Sequence, residues 1–485
     1  MSNKVLSVLK EIVIRIWRLI KFAGCLCLIA GTFYHGYNYF NKVFRNPEVN
    51  YGEAFHNMPE DSVDILVLGS SHAQYSFVPS FAYQDTGLYS YVLGTACQPI
   101  KVSYEMLKEA LKTQNPELVI LEVYTATPLK EMCDGDSCYI TAEYQMTGQE
   151  KYNTINFLPE EKAKAYRNDF INYHNNWRTM ESFEDFKYKD NSEIDISFGY
   201  IYNGSSLPVE NSWYAARFDE TVDVELNEDD LKAFNDIYNL CKEKGIQLLF
   251  YMMPMDCLDA VNQAYRYKIW DWANEHDVEY IDFIDLSDKI DYRMQVHSDG
   301  FHSYTNGAGI VTDYLCKFIQ ENYQFNSHTN NDELNSLYKR HINGNNIGVL
   351  IAEYNPMKYL PRLINTTGTI AIRYQPTYGV ANKDICDLLK RIGVDDSFNP
   401  NRSYYAIIKD GELLESSETY IDFYDGDNHI EILNNMIAIN HDIIDSSDCF
   451  SIVLFNTTYG NNVVKRIDLR NKPWEFGQNG VYERQ

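Results

Sequence analysis

The stretch VDILVLGSSHAQYSF, residues 63–77, decides the fold of this 485-residue chain. Its apolar run from Ile65 to Leu68 has the length and composition of a buried strand, and the run ends at Gly69, two serines and a histidine. Such a turn leads from a parallel strand into a helix and places its side chains at the C-terminal edge of the sheet, where open α/β folds build their sites. The amides that open the helix favour an anion or a developing oxyanion. We therefore predict that this stretch opens an α/β domain and contributes to its site.

The pattern that follows alternates strand and helix, which is typical of a parallel α/β sheet. The alternation breaks over 130–225, which is rich in Tyr, Asn and acidic residues, and we interpret that segment as an insertion or lid over the C-terminal edge of the sheet. The predicted strands cover 65–68, 89–93, 118–123, 247–252 and 278–283, and the predicted helices cover 101–113, 228–244, 260–275 and 305–322.

The chain changes character after residue 325. Residues 326–346 are polar and Asn-rich, which predicts a linker, and 347–485 is predicted to be a separate β-rich accessory domain. Its histidines belong to no paired acid–base constellation, which favours a structural or binding module over a second active site. The expected elements are two strand pairs, in 403–416 and 450–469, and a helix over 384–392, and the histidines are His429 and His441.

The N-terminus differs in charge from the rest of the chain. The formal net charge is −27, but residues 1–45 carry +6 and the remainder −33, and so acidic a body argues against a nucleic-acid partner. Residues 22–40 are uncharged over 19 positions, close to the ~20 that span a bilayer, and five of the seven nearby positive charges precede them. We predict a cytoplasmic basic segment (1–21), a transmembrane helix (22–40), a stalk (41–60) and an extracytoplasmic body on the cell membrane. A cleaved signal peptide is the alternative.

The chain contains ten cysteines. Cys133 and Cys138 bracket the short turn CDGDSC and could form a small disulfide. No Cys-x-x-Cys pair is present, which argues against structural zinc. The other cysteines of the body are predicted to be packed free thiols, at positions 97, 241, 257, 316, 386 and 449.

A second motif, HSDGFHSYTNGAG, lies at 297–309. Asp299 and His302 stand three residues apart, just before a predicted helix, so that the carboxylate can hold one side of the imidazole. A serine nucleophile needs this arrangement of a base and an orienting acid. A metal held by His297, Asp299 and His302 is the competing interpretation, but no further ligand spaced for zinc is evident elsewhere. A purely structural His302 is the other alternative. We therefore predict neither a metal nor a cofactor.

A strand that ends in Gly-x-Ser (69–71), with Asp-x-x-His (299–302) before the last helix, resembles the SGNH (GDSL-type) hydrolase superfamily over roughly 61–325. The resemblance implies a flavodoxin-like three-layer α/β fold with Ser71, Asp299 and His302 as catalytic residues. It also implies that Gly94, in YVLGTACQP, is an oxyanion-hole donor. The Gly-x-Asn-Asp motif of the family is replaced by LEVYT at 121–125, so the Asn donor is absent. Gln98 is a candidate replacement, and Tyr124 is a candidate cleft residue.

The anchor-like N-terminus and the Gly-Ser-Ser turn resemble membrane-anchored members of that superfamily, including DltD-type D-alanyl transfer proteins and proteins that O-acylate polysaccharides. The resemblance implies a serine acyltransferase that acts on a cell-envelope glycan through an acyl-serine. The implied partners are a cell-surface polysaccharide or teichoic-acid-like acceptor and a membrane-bound acyltransferase. The acidic body would repel a polyanion, which favours a neutral polysaccharide. The alternatives are an esterase that removes acyl groups and a non-catalytic SGNH-like scaffold that binds glycan.

Overall fold

Three sheets organise the described part of the chain: one parallel sheet of five strands, and two antiparallel sheets of five and four strands. The structure is a computed structural model. It describes residues 3–44, 54–128, 145–167, 174–179, 195, 197–203, 218, 221–253, 255, 259–288, 302–326, 330–352, 356–364, 366–455 and 462–470.

The parallel sheet has the strand order β2-β1-β3-β4-β5, which is the order of flavodoxin-like doubly wound folds. Its first three strands are buried along their whole length, because a parallel sheet is covered on both faces. The predicted parallel α/β sheet is thereby confirmed, and each of its strands was predicted to within one residue at either end. The strands are β1 (Ile65–Gly69), β2 (Ser90–Gly94), β3 (Leu118–Glu122), β4 (Gln247–Met252) and β5 (Glu279–Asp282).

Helices cover both faces of this sheet. Alternate residues of β1 enter different cores: Leu66 and Leu68 belong to one apolar cluster, and Ile65 and Val67 to the other. The α-helices assigned up to residue 322 are α1 (Asn3–Phe44), α2 (Ser71–Ser76), α3 (Pro79–Thr86), α4 (Ile100–Ala110), α5 (Gly148–Asn156), α6 (Glu160–Tyr166), α7 (Glu228–Lys244), α8 (Ala260–Glu275) and α9 (Thr305–Asn322).

The N-terminal helix α1 corrects one prediction. It runs unbroken for 42 residues, through both ends of the predicted span at 22 and 40. Among the described residues, no helix combines the length and the apolar character needed to cross a bilayer. The predicted transmembrane segment, and with it the cytoplasmic N-terminus and extracytoplasmic body, is therefore wrong. The absence of charge misled the prediction: from Thr32 to Tyr39 the segment carries hydroxyl, imidazole and amide groups, whose transfer into hydrocarbon is unfavourable.

The segment predicted to be a linker is largely a helix, α10 (Asp332–Ala352). Leu334 and Tyr338 are buried in a core of the parallel sheet, whereas Leu350 is buried in the core of the following antiparallel sheet. The apolar positions recur every four residues among Asn and charged residues, and the polar composition concealed this helical pattern. The helix therefore contributes to the cores of both regions.

The C-terminal region is β-rich and antiparallel, as predicted. One sheet has the order β14-β13-β6-β7-β8 and the other the order β12-β11-β10-β9, and a shared apolar cluster packs between them. The elements are α11 (Pro356–Leu363), β6 (Thr369–Tyr374), α12 (Lys383–Ile392), β7 (Tyr404–Lys409), β8 (Glu412–Ser417), β9 (Ile421–Asp425), β10 (Asn428–Leu433), β11 (Met436–Ile439), β12 (Asp442–Asp445), β13 (Phe450–Phe455) and β14 (Val463–Ile467).

Candidate active site

The turn after β1 positions Ser71. Ser70 caps helix α2, and its Oγ accepts a hydrogen bond from the His72 amide at 3.2 Å. Gly69 is required just before it, because a Cβ at this position would lie 2.6 Å from the Cβ of Glu122 on the neighbouring strand. The chain therefore turns sharply at the C-terminal edge of the sheet and presents Ser71, half-buried, as the first residue of α2.

The structure brings Ser71 together with His302, 231 residues further along the chain. His302 Nε2 lies 2.9 Å from Ser71 Oγ, which is hydrogen-bond distance for a nucleophile and its base. The segment of His302 is held in place by its neighbour, because the Ser303 carbonyl accepts a hydrogen bond from Asn203 Nδ2 at 3.0 Å. The Tyr75 ring lies 4.7 Å from the His302 ring, centroid to centroid, and packs beside it.

The predicted orienting acid, Asp299, lies outside the described residues, as does His297. The role of Asp299 therefore stays a prediction. For His302 Nε2 to accept the Ser71 proton, the hydrogen of the neutral ring must sit on Nδ1. A carboxylate such as Asp299 can hold that hydrogen and so orient the ring.

A buried carboxyl, Glu122, lies directly behind the nucleophile turn. Its Oε2 accepts a hydrogen bond from Ser70 Oγ at 2.9 Å, and its Oε1 accepts one from the Tyr124 amide at 2.8 Å. Burial raises the pKa of Glu122 to about 8, against the opposing effect of the hydrogen bonds from Tyr124 and Ser70. The Glu122 carboxyl is therefore mostly protonated, and so mostly uncharged, at pH 7.

Two further rings fill the space between Glu122 and the base. His72 is buried, its ring packs on that of Tyr124 with a centroid distance of 3.8 Å, and its Nδ1 lies 3.9 Å from Glu122 Oε1. The His72 ring also lies 5.6 Å from that of His302. Tyr124, predicted to line the cleft, is itself only 4 % exposed. It therefore supports the site from inside the protein.

The two oxyanion candidates have different surroundings. Gly94 stands opposite Gly69 in the sheet register, and a Cβ there would lie 3.0 Å from the carbonyl oxygens of Gly69 and Ser70. Its backbone therefore lies against the nucleophile turn. Gln98 is fully buried, and its amide donates to Ser103 Oγ at 2.8 Å and accepts from Thr95 Oγ1 at 3.2 Å. Among the described residues, no hydrogen bond joins Gln98 to Ser71.

Cys97 lies in the same loop and corrects the cysteine prediction. It is disulfide-bonded, so its assignment as a packed free thiol is wrong, whereas four other thiols of the body are free, as predicted. Disulfide formation depends on how close two thiols lie in space, which the spacing along the chain does not reveal. The predicted Cys133–Cys138 pair and Cys257 lie outside the described residues. The free thiols are Cys241, Cys316, Cys386 and Cys449.

Described parts of the 130–225 segment border the site. The side chain of Gln145 donates to the Gly94 carbonyl at 3.1 Å, and the Ile201 amide donates to the Gln74 carbonyl at 2.9 Å. Together with the bond from Asn203 to Ser303, these contacts place two pieces of the segment at the strand ends. Its function as a lid stays a prediction.

Glu122 is the site residue that sequence reasoning missed. The available signal was a single carboxylate at the end of the apolar strand LVILE, residues 118–122, next to β1 in the sheet. Parallel strands bring their C-terminal ends to one edge, so the end of β3 and the serine turn after β1 are necessarily close. The resemblance to the SGNH superfamily pointed instead to an Asn donor, which this strand end lacks.

Comparison with known proteins adds weak structural likenesses. No protein-family model matches the chain, and no curated protein matches it. A crystal structure of a candidate acylhydrolase from Bacteroides fragilis is 10% identical and has a TM-score of 0.27, covering 60% of this chain and 97% of its own. A GDSL-like lipase from Bacteroides thetaiotaomicron is also 10% identical with a TM-score of 0.27, covering 56% of this chain and 96% of its own. Likenesses of this size have no bearing on the chemistry of the site.

Proposed function

We propose that this protein is a serine acyl-handling enzyme of SGNH type, which forms an acyl-enzyme at Ser71. The observation that carries the proposal is the 2.9 Å contact between Ser71 Oγ and His302 Nε2 at the C-terminal edge of a parallel sheet. A hydroxyl and an imidazole in this contact form the pair that activates a serine. The sharp turn held by Gly69 and the cap at Ser70 place Ser71, half-buried, at the edge of the sheet.

The mechanism follows from these contacts. His302 Nε2 takes the Ser71 proton as Oγ bonds to the acyl carbon, and the same nitrogen returns that proton to the leaving oxygen as the ester bond breaks. An incoming hydroxyl then loses its proton to His302 and attacks the acyl carbon. The bond between the acyl carbon and Ser71 Oγ breaks, and His302 returns the proton to Oγ. The amides of Ser71 and Gly94 are the proposed donors to the oxyanion. Asp299 is the proposed partner of His302 Nδ1.

The acyl group is proposed to pass to a hydroxyl of a neutral polysaccharide. Two features support a sugar acceptor over water. The half-buried ring of Tyr75 packs beside His302 and offers an aromatic face next to the base. The chain also lacks the Asn donor of the third family motif, and the loss of one such donor typically slows acyl transfer by ~10²–10³, so a long-lived acyl-enzyme is expected.

A fluorophosphonate probe tests the nucleophile. We expect the folded wild type to be labelled, Ser71→Ala to lose all labelling, and His302→Gln to be labelled far more slowly because the base is missing. Ser70→Ala removes the neighbouring hydroxyl, which caps helix α2 and donates to Glu122. Ser71 is intact in this variant, so it should still be labelled, but more slowly because the cap that positions Ser71 is lost. Circular dichroism shows whether each variant is folded.

The outcomes separate the candidate functions. Absence of labelling in folded wild type would favour a non-catalytic scaffold. Labelling that survives in Ser71→Ala would refute the assignment of the nucleophile. With p-nitrophenyl acetate as donor, we expect slow hydrolysis that requires Ser71 and His302, and faster turnover with acetylated sugar as product when an oligosaccharide is added. Rapid hydrolysis that the oligosaccharide leaves unchanged would indicate an esterase.

A further inference from the structure

The four-stranded sheet β9–β12 gathers the two histidines of the C-terminal region in one place. His429 and Glu431 are two residues apart on β10, so their side chains lie on the same face. His441 belongs to the turn between β11 and β12, in which Asn440 and His441 both adopt positive φ, 53° and 70°. The turn is fastened to β10, because the Asn440 amide donates to the His429 carbonyl at 2.8 Å.

The spacing of the three side chains suits a common metal ion. One ligand atom from each of His429, Glu431 and His441 lies within 4.8 Å of the other two. His441 Nδ1 is 3.6 Å from Glu431 Oε2, too long for a hydrogen bond. Two ligands bound tetrahedrally to one zinc ion at its usual bond lengths are about 3.3 Å apart. The distance between His441 Nδ1 and Glu431 Oε2 is therefore closer to that of two ligands on one zinc ion than to that of a hydrogen bond.

His429 is prepared to act as a ligand. Its Nε2 lies 2.7 Å from Asp422 Oδ1, and its ring stacks on Tyr424 with a centroid distance of 4.5 Å. Its other nitrogen, Nδ1, is buried and has no hydrogen-bond partner among the described residues. Metal-binding histidines usually donate their second ring nitrogen to a carboxylate, which fixes the tautomer and leaves a lone pair for the ion. Asp422 supplies that carboxylate, and Nδ1 is left with the lone pair.

We propose that His429, Glu431 and His441 bind a divalent transition-metal ion of the zinc type, with Asp422 as the residue that orients His429. Two imidazoles and one carboxylate suit Zn²⁺, whereas Mg²⁺ and Ca²⁺ prefer oxygen ligands alone. The side chain of His441 is 79 % exposed, so a fourth coordination position faces solvent and takes water or a donor group from a ligand. The ion joins the β11–β12 turn to β10. This site is independent of the proposed chemistry at Ser71.

Equilibrium dialysis of the full chain against Zn²⁺ tests the site, with bound metal measured by atomic emission. Excess Mg²⁺ in the buffer occupies the all-oxygen sites of the acidic surface. We expect one Zn²⁺ per chain in wild type and loss of that ion in His441→Asn and Glu431→Gln. His441→Asn is the decisive variant, because the residue is exposed and asparagine tolerates positive φ, so the fold is kept. Asp422→Asn should weaken binding by about 10–100-fold.

His35→Ala is the matched control, since it removes an exposed histidine of α1 that is outside the cluster. It should bind Zn²⁺ as wild type does. A second readout is spectroscopic: Co²⁺ bound by two imidazoles and a carboxylate should give a visible absorption band that Zn²⁺ abolishes. The proposal is refuted if wild type binds no Zn²⁺, or if His441→Asn and wild type bind it equally.

Discussion

At the scale of single residues, Glu122 is a carboxyl whose ionisation the fold opposes, because burial raises its pKa. The pKa of this carboxyl rises from 4.5 in the unfolded chain to about 8 in the folded protein. Between these two pH values the folded protein holds a proton that the unfolded chain has released. Stability should therefore fall as the pH rises through that window, by on the order of 5 kcal/mol in total for this group.

Glu122→Gln imitates the protonated form and should lack this pH dependence. Urea unfolding of wild type and variant from pH 5 to about 9 measures it: the difference in unfolding free energy should grow with pH in favour of the variant and level off near the pKa of the folded-state carboxyl. The exposed Glu415→Gln is the control and should show no such trend. A pH-independent difference between Glu122→Gln and wild type would contradict the assigned ionisation.

Gly69 tests the close approach of two strands at the nucleophile. An added Cβ would meet the Glu122 Cβ at 2.6 Å, so Gly69→Ala should destabilise the fold by roughly 3 kcal/mol. Gly87 also has a positive φ, +76° against +155° at Gly69, but a Cβ there meets nothing within 4 Å, so Gly87→Ala should cost only about 1 kcal/mol of backbone strain. Equal losses of unfolding free energy in the two variants would exclude the clash as the cause.

At the scale of elements, helix α10 supplies hydrogen bonds to the edge of the parallel sheet. β2 is an edge strand, whose outward backbone groups need partners. The Tyr338 hydroxyl supplies two of them: it accepts from the Ser90 amide at 3.0 Å and donates to the Ser90 carbonyl at 2.6 Å. Its ring meanwhile stacks on Phe198 with a centroid distance of 3.8 Å. The helix thus satisfies the backbone of this edge at Ser90, while the Val92 amide donates to the Phe198 carbonyl at 2.9 Å.

Tyr338→Phe keeps the stacked ring and removes both hydrogen bonds. Because it leaves buried backbone groups unsatisfied, we expect a loss of about 1–3 kcal/mol in unfolding free energy and faster hydrogen exchange of the Ser90 amide. Tyr420→Phe, at a tyrosine that is 61% exposed, should change neither quantity. Unchanged exchange at Ser90 in Tyr338→Phe would show that the hydroxyl does not protect the edge.

At the scale of the whole molecule, α10 couples two cores. Leu334 packs in a core of the parallel sheet and Leu350 in that of the antiparallel sheet, and both side chains are fully buried. Arg362 of α11 adds a polar contact, since it donates to both carboxylate oxygens of Asp313 on α9 at 2.7 and 2.8 Å. Because α10 packs in both cores, we expect a loss of packing in one core to destabilise the other.

Leu334→Ala should therefore weaken both regions. The cavity should cost about 2–5 kcal/mol, and hydrogen exchange should accelerate in β13 of the antiparallel sheet as well as in β3. Lys339→Ala, an exposed position of the same helix, is the control and should affect neither strand. If acceleration is confined to β3, the two regions unfold independently and the coupling proposed for α10 does not exist.

The sequence by itself determined the class of the fold and the pair that meets at the sheet edge. Hydrophobic runs of strand length, separated by helical patterns, require a parallel sheet, because helical crossovers return each strand in the same direction. A Gly-Ser-Ser turn after β1 and a histidine just before α9 must both lie at the C-terminal edge of that sheet. Topology therefore sufficed to place the serine turn and His302 at one edge of the sheet, and the resemblance to the SGNH superfamily selected Ser71 from the two serines of that turn.

Only the tertiary structure decided what surrounds that pair and what the rest of the chain does. The raised pKa of Glu122 comes from its burial by neighbouring elements, and the local sequence does not show how completely those elements cover the carboxyl. His429 and His441 stand on different elements, and only the antiparallel register and the Asn440–His441 turn bring them together. The Asn-rich segment became α10 because two cores offered its few apolar side chains a place to pack. Each of these outcomes depends on contacts between residues distant in sequence, and composition along the chain does not specify such contacts.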